Sequence, residues 1–187
     1  MTLNWSGAKL HLGCGAKYLN GWINADGLPA PSVMGQTGKV DAVINVTRDL
    51  GLLPTETLAW VYTSHMIEHI APDVLPEVLM HLYRSLRQGG KLTIATTDFE
   101  GIYKHRFASH ENGDAWEVAI FGHADSTSPP IEMHRDCFSY SKLKRLLHAA
   151  GFETVRPWEY DEYPELKALN DFGYSNRMCS CLAEGIR

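Results

Sequence analysis

The sequence predicts an α/β fold, a mostly parallel sheet covered by helices on both faces. Three observations carry that prediction. Short apolar runs rich in β-branched residues alternate with longer stretches of helical periodicity along the 187 residues. The residues with the most chemical potential, Gly13, Cys14, Gly15, Asp26, Asn45, Ser64, His65 and Asp98, each follow the end of a proposed strand, which is where such sheets bind ligands. Composition is that of a globular chain, 44% apolar and 21% charged, and the length suits one domain over residues 1–187 with a core that needs no disulfide or metal.

The elements follow in order. KLHLGC (9–14) reads as a strand ending in a glycine loop, and GWINAD (21–26) as a second, followed by a Gly- and Pro-rich loop. VDAVINV (40–46) and LAWVYTS (58–64) read as the third and fourth strands. Over 72–88, Val74, Leu75, Val78, Leu79, Leu82, Tyr83 and Leu86 recur at helical spacing before Gly89 and Gly90 stop the helix. KLTIATT (91–97) is the fifth strand, with two shorter helices expected at 99–107 and 113–121. The Ser- and Pro-rich stretch 122–134 reads either as a lid for an acceptor or as a plain connection. Ser139 caps a helix over 139–150 that aligns Leu143, Leu146 and Leu147, and Gly151 ends it. FETVRPW (152–158) and RMCSCLAEGI (177–186) supply the last two strands.

Several function classes lose support at once. The net charge is −5, with 17 basic against 22 acidic side chains and no Lys/Arg run, which argues against a nucleic-acid partner. Cys14, Cys137, Cys179 and Cys181 form no C-x-x-C pair, the start does not read as a signal peptide, and no window approaches the ~18 apolar residues of a membrane span. The expectation is a reduced, cytoplasmic protein with no membrane span, for which a homo-oligomer remains open.

The strongest local signal is LHLGCGAKYLNGWINAD. Gly13 and Gly15 directly after a strand allow a sharp turn and close approach of a ligand to the backbone. The dinucleotide fingerprint fails, because Tyr18 stands where its third glycine belongs and Asp26 follows Gly15 by only eleven residues. A carboxylate at the end of the second strand can still accept bonds from the vicinal hydroxyls of a ribose. Together these features point to adenosine carrying something small, against an ordinary tight turn with a surface acid.

His65, Glu68 and His69 spell H-x-x-E-H, a zinc pattern of one metallopeptidase class. That chemistry needs both histidines on one helical face. Here a β-branched run leads straight into His65 and Pro72 follows closely, so no long helix and no metal are expected. A zinc hydrolase using these three residues is the lesser alternative.

The sequence resembles class I S-adenosylmethionine-dependent methyltransferases, in particular small methyltransferase-like proteins with a glycine loop, GWIN-x-D and SH-x-x-EH. The elements that carry the resemblance are LHLGCG (10–15), GWINAD (21–26), SHMIEH (64–69), RSLRQGGKLTI (84–94) and HRDCFSYSKLKRLLHAAGF (134–152). It implies a Rossmann-like sheet of seven strands with the last antiparallel, and S-adenosylmethionine bound across the first four. By position, Gly13, Cys14 and Gly15 would meet the methionine part, Asp26 the ribose, Asn45 and Val46 the adenine, and Ser64 and His65 would close the pocket. Asn45 stands where the family often has Asp, and 16–21 is too short for the usual helix. Glu68 and His69 are then expected to bond backbone groups at the base of the cofactor loop.

Methyl transfer from a sulfonium is an in-line displacement that positioning accelerates, with a base needed only where the acceptor must lose a proton. His65, His134 and Asp98 are the catalytic candidates, with Arg135 and Asp136 nearby in sequence, while His105, His110 and His123 read as surface residues. Trp158, Tyr160, Tyr163, Phe172 and Tyr174 could stack on a ring substrate or pack on the sheet, and packing is the commoner fate. The expected activity is methylation of a small-molecule acceptor, such as a sugar or glycolipid hydroxyl, with S-adenosylhomocysteine as product. The alternative is a binding module of the same fold without turnover.

Overall fold

A computed structural model describes residues 3–33, 36–107, 120–122, 133–171, 173 and 177–187. Seven strands form the main sheet: β1 (Lys9–Leu12), β2 (Ile23–Asp26), β3 (Ala42–Val43), β4 (Leu58–Ser64), β5 (Leu86–Thr97), β6 (Thr154–Arg156) and β7 (Ser180–Ile186). Their order is β3-β2-β1-β4-β5-β7-β6, and β7 runs antiparallel to both neighbours while the remaining pairs are parallel. The fold class read from the sequence is therefore the one observed.

The two faces are covered differently. Helices α1 (Leu75–Ser85) and α3 (Tyr140–Ala150) lie on one face, where Leu79, Leu82, Leu143 and Leu147 pack against Leu10, Leu12, Val61, Leu92 and Ile94. Each of these side chains is buried, and burying one stabilises by about 1.5–3 kcal/mol. Ser139 caps α3 by accepting the Lys142 N–H at 3.3 Å, and Gly151, at φ 113°, ends it as expected. On the other face the connection after β6, with the short helix α4 (Pro164–Leu169), lays Trp158, Tyr160 and Leu166 over Trp22, Trp60 and Tyr62. Helix α2 (Phe99–Ile102) follows β5 and widens into a looser turn over Tyr103–Phe107.

Several expected boundaries shift. The first, second, third, sixth and seventh strands are shorter than the runs that announced them, because the flanking residues turn into loops or short turns. The helix expected to reach residue 88 stops at Ser85, and Leu86 pairs with Leu58 as the start of β5. No helix joins β1 to β2, and between β2 and β3 the chain forms a small hairpin of Ser32–Val33 with Gln36–Thr37. Most of the expected helix at 113–121 and of the stretch 122–134 lies outside the described residues, as do His110, His123, Phe172 and Tyr174. Trp158 and Tyr160 are buried and Tyr163 is half-buried, so these three aromatics pack on the sheet. Among the described residues no helix is long and apolar enough to cross a membrane.

Candidate functional site

The parallel strands β1, β2, β4 and β5 present their carboxyl ends along one rim, and antiparallel β7 brings its first residue there. At this rim the chain leaves β1 through Gly13 (φ 69°) and Gly15 (φ 54°), both in the left-handed region that favours glycine. The amides of Gly13 and Cys14 both donate to the Ala25 carbonyl, at 2.8 and 3.1 Å, which folds the loop back onto β2. A Cβ on Gly13 would sit 2.5 Å from Met66 Cγ, so glycine there also makes room for Met66. Cys14 is buried, and burial, with Asp26 and Asp41 nearby, pushes its thiol up to about 12; it packs and does not react.

Asp26 ends β2 half-buried. Its Oδ2 accepts the Gly15 N–H at 3.0 Å and its Oδ1 the Leu28 N–H at 3.2 Å. Each oxygen thus carries one amide bond, and a carboxylate retains further lone pairs that two ribose hydroxyls can use. The glycine loop and the acid are consequently a single locked unit.

Asn45 and Val46 follow β3. The Asn45 side-chain oxygen accepts from Thr47 N (3.0 Å) and Thr47 Oγ1 (2.8 Å), while its own N–H donates to Asp49 Oδ2 at 2.8 Å. Asn45 therefore shapes the turn in which it stands, and Val46 packs against the aliphatic core.

After β4 the rim becomes densely polar. Ser64 Oγ accepts the Gly173 N–H at 3.2 Å. His65 adopts φ 47°, uncommon for a residue with a side chain, and donates its N–H to the Ala95 carbonyl at 2.8 Å. Its Nδ1 lies 2.7 Å from Glu68 Oε1 and its Nε2 3.0 Å from Ser180 Oγ. Glu68 is fully buried and accepts the hydroxyls of Thr96 and Thr97, each at 2.9 Å. Burial opposes its charge, but His65 beside it, the bond between them and His69 nearby hold the carboxyl well below the usual range.

The H-x-x-E-H string is thus divided between a strand end and the short turn Ile67–His69, and no helix carries both histidines. Glu68 does bond backbone groups, though those of Arg135 and Asp136 rather than of the cofactor loop, and its carboxylate also meets the side chains of His65, Thr96 and Thr97. Its carbonyl accepts from the Arg135 and Asp136 amides at 2.7 and 3.2 Å. His69 does bond backbone, donating from Nδ1 to the Met133 carbonyl at 3.2 Å. Among the described residues no three His, Cys, Asp or Glu side chains are placed to hold a metal ion.

His134 joins this cluster. Its ring meets His69 edge-on at 4.8 Å, and its Nδ1 donates to the Ile120 carbonyl at 3.2 Å. Burial lowers its proton affinity, with Glu68 pulling the other way. Asp98 caps α2, accepting the Glu100 N–H at 3.2 Å, and burial raises its carboxyl. Asp136 pairs with Lys142, while Arg135 and His105 are exposed.

The fold therefore gathers His65, Glu68, His69 and His134 into one cluster, and locks Asp26 to the glycine loop. Two features escaped the sequence reading. One is Ser180, which shows no local signal and reaches the rim only because β7 runs backwards. The other is a buried polar network beneath Ser64: Tyr62 donates to Asp171 at 2.5 Å, Tyr160 also reaches Asp171 at 3.3 Å, and the two hydroxyls lie 3.0 Å apart.

No family profile matches the sequence, and no curated protein matches it. Solved structures do. An S-adenosylmethionine-dependent methyltransferase from Archaeoglobus fulgidus is 16% identical with a TM-score of 0.60, over 98% of this chain and 88% of that one. One from Mesorhizobium loti is 15% identical with a TM-score of 0.54, over 100% and 94%. PigF, solved with S-adenosylhomocysteine, is 16% identical with a TM-score of 0.53, over 97% of this chain and 50% of that one. At such identities the likeness is one of fold, and the strand order with its reversed β7 is accordingly the Rossmann-like fold of S-adenosylmethionine-dependent methyltransferases.

Proposed function

We propose that the protein is an S-adenosylmethionine-dependent methyltransferase acting on a small molecule, with a sugar or glycolipid hydroxyl as the acceptor class. The observation that carries this reading is Asp26, fixed at the end of β2 by the Gly15 and Leu28 amides with acceptor capacity to spare. Gly13, Cys14 and Gly15 would hold the methionine part, Asp26 the ribose, Asn45 and Val46 the adenine, with Ser64 and His65 closing the pocket. Bound there, the cofactor supplies a methyl group activated on a sulfonium. The chain itself aligns the acceptor with that methyl, excludes water and, for a hydroxyl, receives a proton at His65, His134 or Asp98.

Calorimetric titration with S-adenosylmethionine and S-adenosylhomocysteine tests the reading. Wild type, freed of co-purified ligand, should bind in the micromolar range. Asp26→Ala should weaken binding about ten- to a hundredfold, the worth of hydrogen bonds to a charged group. Because Asp26 also pins Gly15, Asp26→Asn, which keeps an acceptor oxygen, is measured alongside and should fall between the two. Absence of binding by wild type would overturn the methyltransferase reading.

A further inference from the structure

Glu68, His65 and Ser180 form a continuous line of polar contacts across the rim. They come from the turn after β4, the end of β4 and the start of β7, and 115 residues separate His65 from Ser180. An ionised Glu68 carboxylate only accepts, so the hydrogen between it and His65 Nδ1, 2.7 Å away, sits on the nitrogen. In the tautomer whose one ring hydrogen is on Nδ1, Nε2 accepts, and the Ser180 hydroxyl 3.0 Å away donates to it.

Two costs accompany this line. A carboxylate in a fully buried position is expensive to desolvate, and a histidine at φ 47° is strained; both persist only where the surroundings impose them. Thr96 and Thr97 impose the first by donating one hydroxyl to each Glu68 oxygen. The backbone bond from His65 to Ala95 imposes the second. The two hydroxyls hold the Glu68 carboxylate and so orient the imidazole beside it. Other titratable groups near the line include Cys137 and also His69 and His134, whose Nδ1 atoms donate to backbone carbonyls.

We propose that His65 is the proton acceptor of the methyl-transfer step, reached through the Ser180 hydroxyl, with Glu68 as its positioning residue. The inference rests on the methyltransferase reading. As the acceptor oxygen bonds to the methyl carbon, the carbon–sulfur bond of the sulfonium breaks with its electron pair on sulfur, leaving the thioether product. The acceptor proton passes to Ser180 Oγ while the proton of Ser180 passes to His65 Nε2. Glu68 stabilises the resulting imidazolium until its proton leaves to water.

The test combines a spectroscopic signature with kinetics. In protein labelled with nitrogen-15 at histidine, long-range proton–nitrogen correlation at neutral pH should show His65 neutral, protonated at Nδ1 and bare at Nε2. Ser180→Ala should keep that tautomer, and Glu68→Gln should lose it. With S-adenosylmethionine and glycerol at molar concentration as the hydroxyl probe, both variants should lower kcat about a hundredfold, the lower range of general-base effects. Cofactor affinity by calorimetry should stay within about twofold of wild type, corresponding to less than about 0.5 kcal/mol. Ser180→Ala removes only a hydroxyl, so it keeps the test decisive should Glu68→Gln fail to fold. An imidazolium at His65 in the resting protein overturns the proposal, as does an unchanged kcat in Ser180→Ala. Wild type that binds cofactor yet methylates glycerol no faster than the protein-free solution also overturns it. Failure to bind cofactor at all would instead sink the methyltransferase reading.

Discussion

The two faces of the sheet are built from different chemistry. The α1/α3 face is aliphatic: leucines, isoleucines and valines from helices meet the same residue types from strands. The opposite face is aromatic and charged. His11 stacks on Tyr62 at 5.3 Å, Asn24 bonds His11 at 3.3 Å, and Asp171 accepts from Tyr62 and Tyr160. Further along, Lys91 lies 3.8 Å from the centres of both Trp60 and Tyr163, and the buried Glu184 takes Arg156 at 2.7 Å. The cause is the connectivity. With no helix between β1 and β2 or between β2 and β3, that face is covered by the connection after β6, and large rings with polar tips fill a gap that a regular helix would close with leucine. One face supplies stability with little sensitivity to conditions. The other couples stability to pH and touches the rim through Ser64.

The largest effect separates the faces outright. Leu79→Ala on α1 removes a fully buried side chain from the aliphatic core and should destabilise by about 2–5 kcal/mol in denaturant unfolding. That loss should be the same at neutral and mildly acidic pH, because the cluster is built of apolar side chains and burial pushes the Cys181 thiol in it up to about 12. A loss that varied between the two conditions would erase the contrast.

The aromatic face should behave the other way. Burial lowers His11 to about 4, with Asp171 and the Asn24 bond opposing. The unfolded chain binds a proton below about 6.5 that the folded chain refuses, so stability falls as pH drops from about 6.5 and levels off below about 4. Across that window the loss is about 3 kcal/mol. His134, also lowered by burial, acts in the same direction, and Glu68 adds to the loss only in the carboxylate range below it. His11→Gln isolates the residue: unfolding free energies between neutral pH and pH about 5 should change by about 2 kcal/mol less than in wild type. An equal change in the two proteins would remove His11 as the cause.

Much of this fold was legible because its signals are local. The runs ending at Leu12, Asp26, Ser64 and Thr97 each alternate or stay apolar, and Ser139 and Gly151 bracket their helix as cap and stop. The glycine loop and Asp26 were legible for the same reason, and the strand leading into His65 already spoke against a shared helix. What stayed hidden depends on distant pairing. Leu86 continues the helical spacing from Leu82, so only its pairing with Leu58 reveals it as strand. Glu68 read only as a backbone anchor, because Thr96 and Thr97 lie 28 and 29 residues away. Trp158 and Tyr160 kept a reading as ligand platforms beside the commoner one of packing, since periodicity does not show that β1 to β3 leave their face bare of helices. Ser180 needs the reversal of β7, which no local pattern encodes.

The smallest effect asks whether the polar face reaches the rim at all. Tyr62 donates to Asp171, and Tyr160, bonded to the same carboxylate, lies against Ser64 and Gly173: a Cβ on Gly173 would fall 2.4 Å from the Tyr160 hydroxyl and 2.6 Å from Ser64 Oγ. Tyr62→Phe keeps the ring and its stacking but removes one donor to a buried acid. It should cost about 1–2 kcal/mol, the range for a lost bond to a charged group whose second donor remains. If Asp171 and Tyr160 are held in place by Tyr62, the loosening should pass to the Gly173 amide, which donates to Ser64 at 3.2 Å, and its hydrogen exchange should quicken. The same measurement on Leu79→Ala should quicken amides of α1 more than Gly173. Gly173 exchange unaffected by Tyr62→Phe would mean that the network stabilises its own face only, and that the rim at Ser64 is held by the backbone of β4 and β5 without help from beneath.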